Sequence, residues 1–333
     1  MVNENRKEQL RLVFEDTQSF YKENKTLADA VENSRKNTRL YKADDYPDLP
    51  ILGTIESLWK MADNPDGSLS AQGAAAAAIR AIENGAPNDP TIHMQEVRVS
   101  KKKTFETAMA LRKEFPDKRI AVLNFASATR PGGGVKSGSS AQEESLCRCS
   151  TLFPTLDRRW LWQKYYDVNR AAQDVIHTDA CIYSPDVIIC KTDESIPKRL
   201  PEDEFVTVDV ISCAAPNLRN EPSNWHNPET GKPVHMDWNQ QFEIHLHRAQ
   251  HIFHIAAANK VDILVLGAFG CGAFSNDPTA VAKAYRQAIV PYRARFDVIE
   301  FAIYCRNHET DNYDAFREEF CGKRGFSKGN TIT

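Results

Sequence analysis

NFASATRPGGGVKSGSSAQEES, residues 124–145, leaves an apolar run, passes through three consecutive glycines and ends in two adjacent carboxylates. The run RIAVLNFAS at 119–127 predicts a strand, and SAQEESLCRCSTLF at 140–153 predicts a helix. A strand that exits through Gly132, Gly133 and Gly134 into a helix lets backbone N–H groups approach a ligand closely. A surface turn would need only one glycine.

The same alternation extends on both sides. TIHMQEVRVS (91–100) reads as a strand and KTFETAMALRKEF (103–115) as a helix. CIYSPDVIIC (181–190) reads as one bent strand or two short ones, and FVTVDVISCAAP (205–216) as a strand. The helix NQQFEIHLHRAQHIFHIAAANK (239–260) precedes the strand VDILVLGAFG (261–270). PTAVAKAYRQAIVPY (278–292) is then a helix and FDVIEFAIYC (296–305) a strand. Alternating helices and nearly continuous apolar strands predict an α/β fold whose sheet is covered on both faces. In such sheets ligands bind where strands end and glycine loops begin.

The first fifty residues differ. NRKEQLRLVFEDTQSFYKEN carries Leu10, Val13, Phe14, Phe20 and Tyr21 at near-helical spacing, and YKADDYPDLP breaks the pattern. AAAAAIRAIENG predicts a short helix ended by Gly85. The expected division is a helical N-terminal extension over 1–90 and one α/β domain over 91–325.

A net charge of −3 gives no electrostatic case for a duplex nucleic-acid binder. No run approaches the roughly 18 apolar residues of a membrane span. The eight cysteines include no CxxC pair, and most lie in apolar runs, as free buried thiols do. The expectation is a reduced, cytoplasmic protein without membrane or metal.

A second glycine loop, LVLGAFGCGAFSNDPTAVA, also leaves a buried strand. Asp277 followed by Pro278 predicts an N-cap and first helical position, so a helix N-terminus follows the glycines and suits an anion. No Gly-Lys-Ser/Thr follows, which excludes a P-loop. The order GxxGxG late in the chain fits a dinucleotide fingerprint poorly. Two phosphate cradles in one sheet suit one diphosphate. Ser140 with Glu143 can form a capping box, as can Ser139 with Gln142, but Glu144 is free of that use. A carboxylate beside a diphosphate is favoured in its protonated form, and cleavage of a glycosidic bond needs such a proton donor.

The pairing of GGG with QEE in residues 124–145 resembles the poly(ADP-ribose) glycohydrolase signature. LGAFGCGAFSNDP resembles that family's diphosphate loop, and CAAPN at 213–217 also matches. The resemblance is to the bacterial-type enzymes and spans roughly 90–320. It implies a three-layer α/β/α macrodomain with a central mixed sheet, plus the N-terminal helical extension. It implies hydrolysis of poly(ADP-ribose), or of ADP-ribose adducts on proteins or nucleic acid, with no cofactor. It assigns Glu144 as catalytic acid and Glu143 as a ribose-positioning residue. The implied binding residues are Asn124, Gly132, Gly133, Gly134, Val135 and Gln142 on the first loop. On the second they are Gly267, Ala268, Phe269, Gly270, Cys271, Gly272, Ala273 and Phe274, the last against the terminal ribose. Ser275 departs from the glycine expected before Asn-Asp-Pro.

Other features are weaker. His247, His251 and His254 share a helix face beside His245, but the stretch lacks the glutamate of HExxH, and a polar face explains it. SKKKT at 100–104 reads as a solvated turn, with a phosphate or nucleic-acid contact as the alternative if more basic neighbours join it. Cys147 and Cys149 have no histidine nearby in sequence to make a catalytic thiol. The polar segment 217–239, with Trp225 and Trp238, reads equally as a lid, an adenine contact or a surface excursion. A macrodomain that only reads ADP-ribose is the competing class; binding alone needs no proton donor.

Overall fold

The computed structural model describes residues 2–49, 96–223, 231–306 and 308–322. The helix expected before Gly85, the first half of the strand expected over 91–100, and Trp225 lie outside the described residues.

Five parallel strands form the body of the sheet: β2 (Glu96–Ser100), β3 (Ile120–Phe125), β5 (Val206–Cys213), β6 (Ile263–Leu266) and β7 (Val298–Ala302). β1 (Arg39–Tyr41) and β4 (Cys181–Ile189) complete one edge antiparallel, in the order β1-β4-β5-β3-β6-β7-β2. The sheet is therefore mixed, as expected. β4 is one bent strand: its register with β5 shifts between Ser184 and Val187, and Asp186 takes φ 55° there.

The strands read as continuous apolar runs because both faces are covered. In β3, Ala121 and Leu123 face one core with Ile252, Phe253 and Tyr285, whereas Ile120 and Val122 face another with Phe105, Leu146 and Phe14. The helical layers are α3 (Thr104–Glu114) and α4 (Gln142–Cys149) on one side. α5 (Trp238–Ala258), α6 (Pro278–Ala288) and α7 (Asp311–Cys321) lie on the other. These are the three layers of the expected α/β/α architecture. No helix of the described residues is long and apolar enough to cross a membrane.

α4 is shorter than the helix expected over 140–153. It ends at Cys149 because Ser150 leaves it to bridge to Ile189 of β4. Three features were not anticipated: β1, α7, and short helical segments between 153 and 172. The N-terminal residues form α1 (Val2–Glu23) and α2 (Lys25–Asn37). α1 packs on α4 through a Thr17 hydroxyl bond to the Arg148 carbonyl at 2.6 Å, and on the segment after it through the Phe14–Phe153 ring pair at 5.0 Å.

Candidate active site

The first turn of α4 is fastened to the end of β3 by its own side chains. Gln142 Oε1 accepts the Phe125 N–H at 2.9 Å, and its amide donates to the Leu123 carbonyl at 2.8 Å. The side chain thus continues the ladder where β3 loses its neighbour. Glu143 Oε2 accepts the Ser127 N–H at 2.8 Å, and Oε1 faces the Asn124 amide at 3.4 Å. The capping boxes expected from Ser140 and Ser139 do not form. Ala141 is the N-cap, and Glu143 turns down onto the β3 exit instead. The Ser139 carbonyl is taken by Arg148, a buried guanidinium.

Glu144 points the other way, into the glycine loop. Its Oε1 accepts the Gly134 N–H at 2.8 Å. Gly133, at φ 52°, lies against both carboxylates. A Cβ there would stand 2.6 Å from Glu144 Oε1 and 3.1 Å from Glu143 Oε2. Burial above all, and then the charge of Glu144, hold the Glu143 carboxyl well above the ordinary glutamate range. Glu143 therefore keeps its proton at a pH where a surface glutamate has lost its own.

This has a stability consequence. A carboxyl with a raised folded pKa binds more protons folded than unfolded, so stability falls as pH rises above the ordinary value of about 4.3. Glu143→Gln removes that dependence. Its melting temperature, compared with wild type, is expected to gain progressively from about pH 4.5 to pH 8. A constant difference across that range would show that Glu143 is not held protonated.

The second loop is organised by a residue the sequence reading passed over. Asn276, 3% exposed, donates to the carbonyls of Pro216 at 2.7 Å and Gly270 at 3.0 Å, and reaches Phe274 at 3.3 Å. Its Oδ1 faces His245 Nε2 at 2.9 Å. Burial pulls His245 down to about 4, so its ring is neutral and Nε2 carries the donated proton. Asn276 thus ties the β6 exit to the β5 exit. Asn276→Ala leaves several buried groups unpartnered and is expected to cost about 3 kcal/mol in urea denaturation. A loss below about 0.5 kcal/mol would show that the loop holds itself. The expected Asp277 cap is present, accepting from Thr279 N and Ala280 N, with Pro278 following. Ser275, where glycine was expected, takes φ 59°, the left-handed conformation glycine adopts at least cost.

The loops meet over a cleft of about 1020 Å³. Of the expected residues, Gly133, Gly134, Gln142, Glu143, Glu144, Ala268, Gly270, Gly272, Ala273 and Phe274 line it. Asn124, Gly132, Val135, Gly267, Phe269 and Cys271 do not. Asn124 lies fully buried beneath Glu143, held to Ser212 at 2.9 Å. Phe269 turns into the core, its ring edge-on to His245. Val135 is a core residue.

The cleft also gathers cations the sequence reading did not place: Arg6, Lys7, Lys103, Arg130, Arg219 and Arg306. Arg219 stands over the Phe274 ring at 5.4 Å. Lys103 bonds the Asp193 carbonyl and so leaves the solvated turn expected for SKKKT. No linear pattern announces this set, because five separate segments supply it. An anionic ligand suits the excess of positive charge.

The histidines separate. His251 lies between the Asp179 and Asp45 carbonyls at 2.8 and 3.1 Å. His254 faces the Pro47 carbonyl and the Tyr292 hydroxyl, and His247 is exposed. They hold the segment after β1 against α5. Of the polar segment expected over 217–239, Trp238 instead opens α5 and stacks on Phe242 at 5.4 Å, and Leu218 N bonds the Phe274 carbonyl, which puts the start of the segment beside the cleft.

Solved structures of similar architecture exist. The poly(ADP-ribose) glycohydrolase of Thermomonospora curvata bound to the inhibitor ADP-HPD is 25% identical, with a TM-score of 0.66 over 93% of this chain and 99% of its own. That of Deinococcus radiodurans in complex with ADP-ribose is 30% identical, with a TM-score of 0.61 over 87% of this chain and 96% of its own. A search of the curated proteins gave no match. The family described as "Microbial-type PARG, catalytic domain" matches residues 8–192, from within α1, through both carboxylates, to just past β4. The chain that fastens its paired glutamates beneath a triple-glycine loop in this way belongs to the microbial-type poly(ADP-ribose) glycohydrolase catalytic-domain family.

Proposed function

We propose that the cleft holds the terminal ADP-ribose of a poly(ADP-ribose) chain and cuts its ribose–ribose bond with Glu144 as acid and then base. One observation carries the assignment. Glu143 has both oxygens engaged, by the Ser127 N–H and the Asn124 amide, whereas Glu144 is held through one oxygen, Oε1, by the Gly134 N–H.

The diphosphate lies between the two glycine loops, where backbone N–H groups meet its charge. Phe274, backed by Arg219, holds the terminal ribose. Glu144 donates its proton to the leaving ribose oxygen as the C–O bond breaks. Water adds to the oxocarbenium carbon, and the ionised carboxylate takes the water's proton. The diphosphate, close by, favours the positive transition state. Glu143 positions the ribose, and Gln142 and Asn124 position the pair from beneath. The N-terminal helices belong to the catalytic unit, because α1 borders the cleft. The cytoplasm, with ADP-ribosylated proteins as polymer carriers, is the proposed setting; eight free thiols support it.

The test is release of ADP-ribose from poly(ADP-ribose) by the purified chain. Release supports the reading. ADP-ribose binding without release would make the protein a reader.

A further inference from the structure

We propose that Arg6 and Lys7 of α1 form a second phosphate subsite, which takes the diphosphate of the neighbouring ADP-ribose unit on the leaving-group side. The inference rests on the glycohydrolase reading of the cleft.

Three observations lead to it. First, both residues line the same cleft as Glu144, and both are exposed. Neither has an ion pair or side-chain hydrogen bond with a described residue. Glu8, the nearest acid of known placement on the helix, is turned to Arg11 instead.

Second, α1 is fixed relative to the carboxylates. Thr17 bonds the Arg148 carbonyl, one helical turn beyond Glu144. The buried Lys191 ammonium donates to the Val13 carbonyl at 2.7 Å and pairs with Asp16 at 2.7 Å. Leu10, 3% exposed, packs beneath the cleft wall. The glycine loop itself abuts the helix. Gly138 takes φ 75°, and a Cβ there would lie 2.0 Å from the Lys7 carbonyl oxygen. The glycine of VKSG, which the sequence reading left without a role, admits α1 to the loop that holds Glu144.

Third, the direction fits. The second glycine loop follows β6, on one side of β3. α1 packs on the turn after Gly134 and on α4, and its partner helix α2 packs on β4, on the other side of β3. Arg6 and Lys7 therefore flank the first loop away from the second, where the departing unit must leave. In the polymer, the leaving oxygen belongs to an adenosine ribose whose own 5′-diphosphate is only a few bonds away. A mono-ADP-ribosylated side chain has no such group. The subsite would select polymer over single adducts.

The test uses Arg6→Glu/Lys7→Glu in a Glu144→Gln background, so that binding is read without turnover. Affinity for poly(ADP-ribose) is expected to fall about ten-fold or more, because two exposed attractions become repulsions. Affinity for free ADP-ribose should stay within about two-fold, because that ligand lacks the second diphosphate. With Arg6→Gln/Lys7→Gln, the slope of log affinity for polymer against log salt should become shallower by about 1.4. Equal losses for polymer and ADP-ribose would overturn the proposal and assign the cations to the first unit. No loss for polymer would overturn it as well. Failure of wild type to cut polymer would instead strike the parent reading, and shows in a separate assay. Melting curves check that exchange of these exposed side chains leaves the fold intact.

Discussion

Glu144→Gln is expected to fold and bind ADP-ribose, and to release ADP-ribose from poly(ADP-ribose) about a thousand-fold or more slowly. The amide keeps the size of the carboxyl. Its oxygen can still accept the Gly134 N–H, so the loop should keep its shape. What it loses is the transferable proton. General acid catalysis supplies about 10²–10⁴ in rate, and the same group serves again as base in the second half-reaction. A thousand-fold loss corresponds to about 4 kcal/mol of barrier. Glu143→Gln should lose much less, about ten-fold, because its oxygens are taken up by the Ser127 N–H and the Asn124 amide. Single-turnover rates for the two variants, with ADP-ribose affinity measured alongside, decide the matter. Near-normal turnover by a folded Glu144→Gln would end the assignment. A dead Glu143→Gln beside an active Glu144→Gln would exchange the two roles.

The parts of the molecule that were legible depend on patterns local in sequence. Both faces of β3, β5 and β7 are covered, so their apolar runs were plain to read. The two glycine loops announced themselves because several glycines in a βα turn exceed what a turn requires. The paired carboxylates were visible too, but the direction of Glu143 was not. A capping box is a local solution for an acceptor at a helix start. Here the exit of β3 leaves the N–H groups of Phe125 and Ser127 without strand partners, and these take Gln142 and Glu143 instead. That competition comes from the fold and leaves no trace in residues 139–143. Asn276 was hidden for the same reason. The carbonyls it gathers come from residues 216, 270 and 274, and only the closed loop brings them to one amide. β1 escaped because three residues at a sheet edge show no alternation. The share of α1 in the cleft escaped because an amphipathic helix reads the same whether its polar edge meets water or a ligand.

Gly133→Ala carries the other large expected effect. Turnover should fall at least a hundred-fold, and the protein should lose about 2–4 kcal/mol of stability. The backbone at φ 52° costs any other residue roughly 1–2 kcal/mol. The methyl group adds a collision that neither neighbour can easily relieve. Glu144 Oε1, 2.6 Å away, is held by the Gly134 N–H, and Glu143 Oε2, 3.1 Å away, is held by the Ser127 N–H. Displacing Glu144 by about 1 Å is enough to cost a hundred-fold in rate. Gly272→Ala is the control for stability: nothing lies within 4 Å of its added Cβ, so the melting temperature should hold. The cause can be separated from backbone strain by a double variant. Glu144→Ala removes the atom that Gly133→Ala strikes. If the collision dominates, Gly133→Ala/Glu144→Ala will be more stable than Gly133→Ala alone, a coupling of about 1 kcal/mol or more. If the two losses simply add, the strain lies in the backbone, and the glycine serves the turn rather than the carboxylate beneath it.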